Sequence, residues 1–145
     1  MKQRVLFDTN IILDLIQERP GYDSAARILQ KQEEGDLTVC LSVLSVANIA
    51  YVLRKTVPTC LRTPTLKQIS SLFEVLSMDD SQLQQAIMLE GHDFEDLLQL
   101  TCAIAHDCSK IITHNPRDYR IRKGLLTKIS VPEIATPEEF AATLV

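Results

Sequence analysis

Short, fully apolar runs alternate along this chain with longer segments whose apolar residues recur every three to four positions. Val5, Leu6 and Phe7 form the first run, which ends in Asp8. An uninterrupted run of this kind suits a central strand buried on both faces. Asn10 is placed to cap a helix carrying Ile11, Ile12, Leu15 and Ile16, and Arg19-Pro20-Gly21 stops it. Ser24 to Glu34 reads as a second helix with Gly35 after its end. Leu37 to Leu41 is a second strand, and Ser42 or Ser45 starts a helix through Arg54. Thr56–Pro64 is the least regular stretch, followed by a helix over Thr65 to Phe73. Val75 and Leu76 make a small third strand. Asp79 or Asp80 caps the helix running to Glu90, and Asp93 caps one carrying Leu97, Leu98, Leu100 and Ala103. Lys110 to Thr113 is a fourth strand, then Asn115-Pro116-Arg117-Asp118 turns. A last strand falls at Ile129–Val131 or Glu133–Ala135, before the capping box Thr136-Pro137-Glu138-Glu139.

This alternation predicts an α/β fold, a central, mostly parallel sheet with helices on both faces. The length, 145 residues, fits one domain over 1–145 that buries a core without a disulfide or metal staple. The four cysteines lack zinc-site spacing and read as reduced thiols, mostly buried, in a cytoplasmic protein. The uncharged run Leu37–Leu53 is too short and too polar for a membrane span, and residues 1–7 do not make a secretory signal.

The candidate chemistry lies in the acids. In open α/β sheets, ligands bind at the carboxyl ends of the strands. Asp8 directly follows the first strand, and Asn115 and Asp118 follow the fourth. Asp93 and Asp96 open a helix, where capping and the dipole also account for them. Clustered carboxylates repel, and a hard cation such as Mg²⁺ or Mn²⁺ relieves that repulsion. Asp14 and Asp23 have no such placement and read as solvated.

A net charge of −4 argues against a general polyanion binder. The charge is segregated, however. Residues 68–109 hold eight acids and no Lys or Arg, whereas residues 110–128 hold six bases and one acid. Arg117, Arg120, Arg122 and Lys123 are therefore candidate contacts to an RNA backbone. Arg54, Lys55, Arg62 and Lys67 form a second acid-free stretch. Tyr119 has two readings, stacking on a base or packing in the core.

Three segments resemble one family. Val5-Leu6-Phe7-Asp8-Thr9-Asn10 is similar to the opening of a PIN domain. Asp93-Phe94-Glu95-Asp96-Leu97-Leu98 resembles its D-x-x-D helix start. Ile111-Ile112-Thr113-His114-Asn115-Pro116-Arg117-Asp118-Tyr119 resembles its late strand and T-x-[DN]-x-x-D-[FY] turn. The resemblance implies a three-layer α/β/α fold and Mg²⁺- or Mn²⁺-dependent endoribonuclease activity, often as the toxin of a VapBC-type toxin–antitoxin pair. It also implies a homodimer and an antitoxin as partners. Asp8, Asp96 and Asp118 match the metal-binding, catalytic acids, and Asn115 stands where the family has Asp or Asn as a ligand. Asn10, Asn48, Asp93 and Thr113 are candidates for weaker ligands or supporting contacts.

One position departs from the family pattern. The helix after the second strand usually carries a Glu, and Asn48 stands there. An amide offers an oxygen but neither charge nor base, which leaves open a second reading, a non-catalytic PIN-like RNA-binding or protein-interaction module. A phosphoryl-transfer enzyme with Asp8 as nucleophile would want D-x-D at the strand end, where this chain has Asp8-Thr9-Asn10.

Overall fold

The computed structural model describes residues 2–119 and 131–145. Five parallel strands form one sheet in the order β3-β2-β1-β4-β5: β1 (Gln3–Phe7), β2 (Leu37–Ser42), β3 (Glu74–Leu76), β4 (Lys110–Ile112) and β5 (Glu133–Ala135). The helices are α1 (Thr9–Gln17), α2 (Tyr22–Glu33), α3 (Val43–Thr56), α4 (Thr59–Leu72), α5 (Asp80–Met88), α6 (Phe94–Ala105) and α7 (Pro137–Ala142).

β1 is central, paired with β2 on one side and β4 on the other. Its side chains alternate between two cores, as the pleat requires. Val5 and Phe7 pack with Ile11, Ile28, Ile49 and Ile69 from α1 to α4, and Phe140 of α7 joins them. Leu6 faces Leu76, Ala86, Leu97 and Leu100, under α5 and α6. All three β1 core residues are fully buried. Both faces are covered, so the α/β/α layering follows directly from the apolar run. After β1 the chain steps to β2 and β3, then returns to β4 on the opposite side. That reversal opens a crevice beyond the carboxyl ends of β1 and β4, where such sheets take ligands.

The caps refine the predicted boundaries. Asp8, not Asn10, caps α1, accepting from the Thr9 amide at 2.7 Å. Ser42 caps α3, Asp79 caps α5 and Asp93 caps α6 through the Asp96 amide. Thr136 caps α7 with Pro137 in the first turn. Gly35 follows α2 with φ +86°, a backbone state that other residues rarely adopt.

The stretch expected to be least regular is helical from Thr59 onward. Pro64 lies inside α4 and removes one donor from a helix that buries little else than Ile69. The corner before it is tied by Arg62, whose guanidinium donates to the carbonyls of Val57 (3.1 Å) and Arg54 (2.9 Å). Of the two last-strand readings, Glu133–Ala135 is the strand, and residues 129 and 130 lie outside the described residues. Cys40, Cys102 and Cys108 are buried free thiols, and Cys60 is exposed. Among the described residues, no helix is long and apolar enough to cross a membrane.

Candidate functional site

A cavity of about 350 Å³ opens at this crevice. Asp8, Asn10, Asn48, Asp93, Asp96, Asn115 and Asp118 all line it, and they come from four separate parts of the chain. Thr113 lies behind them, 2% exposed. Its hydroxyl donates to Asp8 Oδ2 at 2.9 Å and accepts from the Asn115 amide at 3.2 Å, so one side chain ties the β1 acid to the turn after β4. Asp8 Oδ1 is taken by the Thr9 amide. Asp8 is thus fixed through both oxygens.

Burial pushes the Asp8 carboxyl above the usual carboxylate range, against the pull of the Thr113 and Thr9 hydrogen bonds. Asp96 is pushed up to about 7, first by burial and then by the neighbouring charges of Asp8, Asp93, Asp118 and Glu95. Asp118 sits 4.0 Å from the exposed His92 imidazole, too far for a hydrogen bond. Among the described residues, the site is therefore rich in negative charge that is largely uncompensated. Among the described residues, no three His, Cys, Asp or Glu side chains converge into a ready-made ion cage. In chemistry the donors do fit a hard divalent cation: carboxylate and amide oxygens, with no sulfur or imidazole at the centre.

Beneath the acids lies a polar network. The Thr9 hydroxyl donates to Ser45 Oγ at 2.9 Å, Gln99 Nε2 donates to the same oxygen at 2.8 Å, and Ser42 Oγ donates to Gln99 Oε1 at 2.7 Å. Ser42, Ser45 and Gln99 are completely buried. Their bonds join α1, α3 and α6, the helices that carry the cavity's polar wall.

Several participants were not read from the sequence. Glu95 lines the cavity and accepts a hydrogen bond from the Asn48 amide. Tyr51 lines its rim, 56% exposed, with Arg54 and Lys55 at 5.7 and 4.8 Å from the ring centre. Asp14 is not solvated: it is 4% exposed and paired with His114 Nε2, joining α1 to the turn after β4. Gly21 faces this pair, and a Cβ there would stand 3.0 Å from His114 Cε1 and closer still to Asp14 Oδ2. The signal was present, because Asp14 is three residues from Ile11 and so shares its apolar helix face. Asp23 is exposed, as expected. Tyr119 is 5% exposed, which settles its two readings in favour of packing. Its hydroxyl lies beside Asp8, near enough to lower the carboxyl's pKa, yet forms no complete hydrogen bond. Arg117 is exposed on the short 3₁₀ turn Pro116–Tyr119, while Arg120, Arg122 and Lys123 lie outside the described residues.

The fold recurs in solved structures of other proteins. The VapBC2 complex from Rickettsia felis, bound to a DNA fragment from its promoter, includes a chain 18% identical with TM-score 0.69, covering 92% of this chain and 98% of that one. A toxin–antitoxin complex from Klebsiella pneumoniae gives 20% identity and TM-score 0.64 over 92% and 97%. FitAcB from Neisseria gonorrhoeae gives 15% and 0.65 over 92% and 98%. At these identities the likeness establishes the fold. No curated protein matches the chain by sequence. A family model does: the PIN domain model matches residues 4–117, from the start of β1 to the turn that carries Asn115. The chain belongs to the PIN domain family.

Proposed function

We propose that the protein is a metal-dependent endoribonuclease, the toxin of a toxin–antitoxin pair. The observation that carries this reading is the gathering of Asp8, Asp96, Asn115 and Asp118 around one cavity at the sheet's topological switch, in a chain of the PIN domain family. Asp8, Asp96, Asn115 and Asp118 would hold a Mg²⁺ or Mn²⁺ ion, which would supply positive charge beside the scissile phosphate and lower the pKa of the attacking water. Asp8 is the anchor, because Thr113 and Thr9 fix its two oxygens. Asp96, pushed up to about 7 by burial and by the neighbouring acids, is a carboxylate whose negative charge a bound cation would relieve. Asp118 helps orient the attacking water. Asn10 and Asp93 border the site as outer polar contacts.

RNA reaches an acidic cavity only if cations flank it. Arg117 beyond β4, and Arg54 and Lys55 beside Tyr51, contact phosphates on either side; Arg120, Arg122 and Lys123, outside the described residues, are further candidates by charge alone. The exposed Tyr51 ring offers a face for an unpaired base. The antitoxin partner is proposed from the likeness to chains of VapBC2 and of the Klebsiella pneumoniae toxin–antitoxin complex, and a homodimer fits the same reading.

Cleavage of a mixed panel of single-stranded and structured RNAs, with Mg²⁺ and Mn²⁺ tested separately, checks the reading. Cleavage that needs metal and disappears in Asp8→Asn supports it. A second reading rests on the neutral Asn48: a PIN-fold module that binds RNA or protein without cutting. Tight RNA binding by the folded protein, with no cleavage under either metal, favours that module.

A further inference from the structure

The family pattern takes one carboxylate from the helix after β2, and this chain has Asn48 there. Its side-chain amide donates to the carboxylate of Glu95, 47 residues away in the first turn of α6. Both side chains line the cavity that holds Asp8, Asp96 and Asp118. We propose that Glu95, held by the Asn48 amide, supplies from α6 the metal-binding carboxylate that the family pattern takes from α3. The inference rests on the metal-dependent reading above.

The pairing has a chemical logic. An amide N–H₂ donates and a carboxylate only accepts, so Asn48 and Glu95 attract. A carboxylate at position 48 would face Glu95 with like charge and no proton between them. The two positions therefore accommodate one carboxylate and one amide, and this chain puts the carboxylate on α6. Counted this way, the site keeps four acids, Asp8, Glu95, Asp96 and Asp118, and Asn48 is a positioning residue rather than a lost ligand.

The test is Mn²⁺ binding by calorimetry on the full chain, with four variants: Asp8→Asn, Glu95→Gln, Asn48→Glu and the exchange Asn48→Glu/Glu95→Gln. Circular dichroism without metal confirms that each is folded. Glu95→Gln is expected to weaken Mn²⁺ binding about tenfold or more. The exchange is expected to recover most of that loss, because it moves the carboxylate back across the same contact. Asn48→Glu alone is expected to melt at lower temperature than the parent in the absence of metal. Glu95→Gln binding Mn²⁺ as tightly as the parent, while Asp8→Asn does not, overturns the role of Glu95 and leaves the metal site standing. An exchange variant no better than Glu95→Gln overturns the relocation. No Mn²⁺ binding by the parent itself overturns the metal-dependent reading and this inference with it.

Discussion

Two polar clusters are built on the same three helices, and they differ in almost every respect. Asp8, Asn48 and Asp96 face the cavity. Thr9, Ser45 and Gln99, one to three residues further along or back, face inward and bond to one another. The inner cluster is neutral, buried and paired, with donors 2.7–2.9 Å from their acceptors. The outer one is negative and only half-buried, and burial together with its charges raises Asp96 to about 7. Buried polar groups persist in a core only when satisfied, and a satisfied network fixes one arrangement. The inner cluster thus spaces the helices, and the outer cluster spends that rigidity on holding like charges together. The frustrated half is where the proposed chemistry is placed.

The comparison breaks most visibly at Gln99. Gln99→Ala takes one hydrogen bond from each of the Ser42 and Ser45 hydroxyls and opens a void, so a loss of about 3 kcal/mol is expected, read as a fall of roughly 10 °C in Tm. Asp8→Asn should act oppositely. RNA cleavage is expected to fall about 100-fold or more, while Tm without metal holds or rises. A concurrent collapse of Tm would move Asp8 into the scaffold.

Tyr51→Ala probes the rim without touching either cluster. Binding of single-stranded RNA by the inactive Asp8→Asn protein should weaken about tenfold, with little change for duplex RNA. Equal losses for both would make Tyr51 a general packing residue. Asp96→Asn is the mildest change. The folded pKa of Asp96 lies above its unfolded value, so the folded state binds the extra proton between about 4 and 7, and stability falls as pH rises through that window. Removing the charge should raise Tm at pH 8 by about 3 °C, the response to about 1 kcal/mol in a chain this size, and leave Tm near pH 4 unchanged.

What could be read from the chain divides along the same line. Val5-Leu6-Phe7 and Lys110–Thr113 announced strands because doubly buried strands need unbroken apolar runs, and that placed Asp8 and Asp118 at one sheet edge. Local rules also reached the capping roles of Asp79, Asp93 and Thr136. They did not reach Gln99, Glu95 or His114, whose partners lie 47 to 100 residues away and leave no periodic trace. Asp8 was read as a site acid but not as the α1 cap, and it is both, since a cap residue with one oxygen on a backbone amide keeps further lone pairs. The start of α4 is hidden by Pro58 and Pro64, which signal a loop unless the corner is tied, as here by the guanidinium of Arg62 from α4 itself.

The most direct test is thermal melting of the parent at pH 8 with and without millimolar Mn²⁺, beside Asp8→Asn. Binding to the folded state alone must raise Tm. The account expects Mn²⁺ to raise the parent's Tm by several degrees and to leave Asp8→Asn nearly unmoved. A parent indifferent to Mn²⁺, or an equal rise in both proteins, would contradict the claim that these acids are gathered to hold a cation.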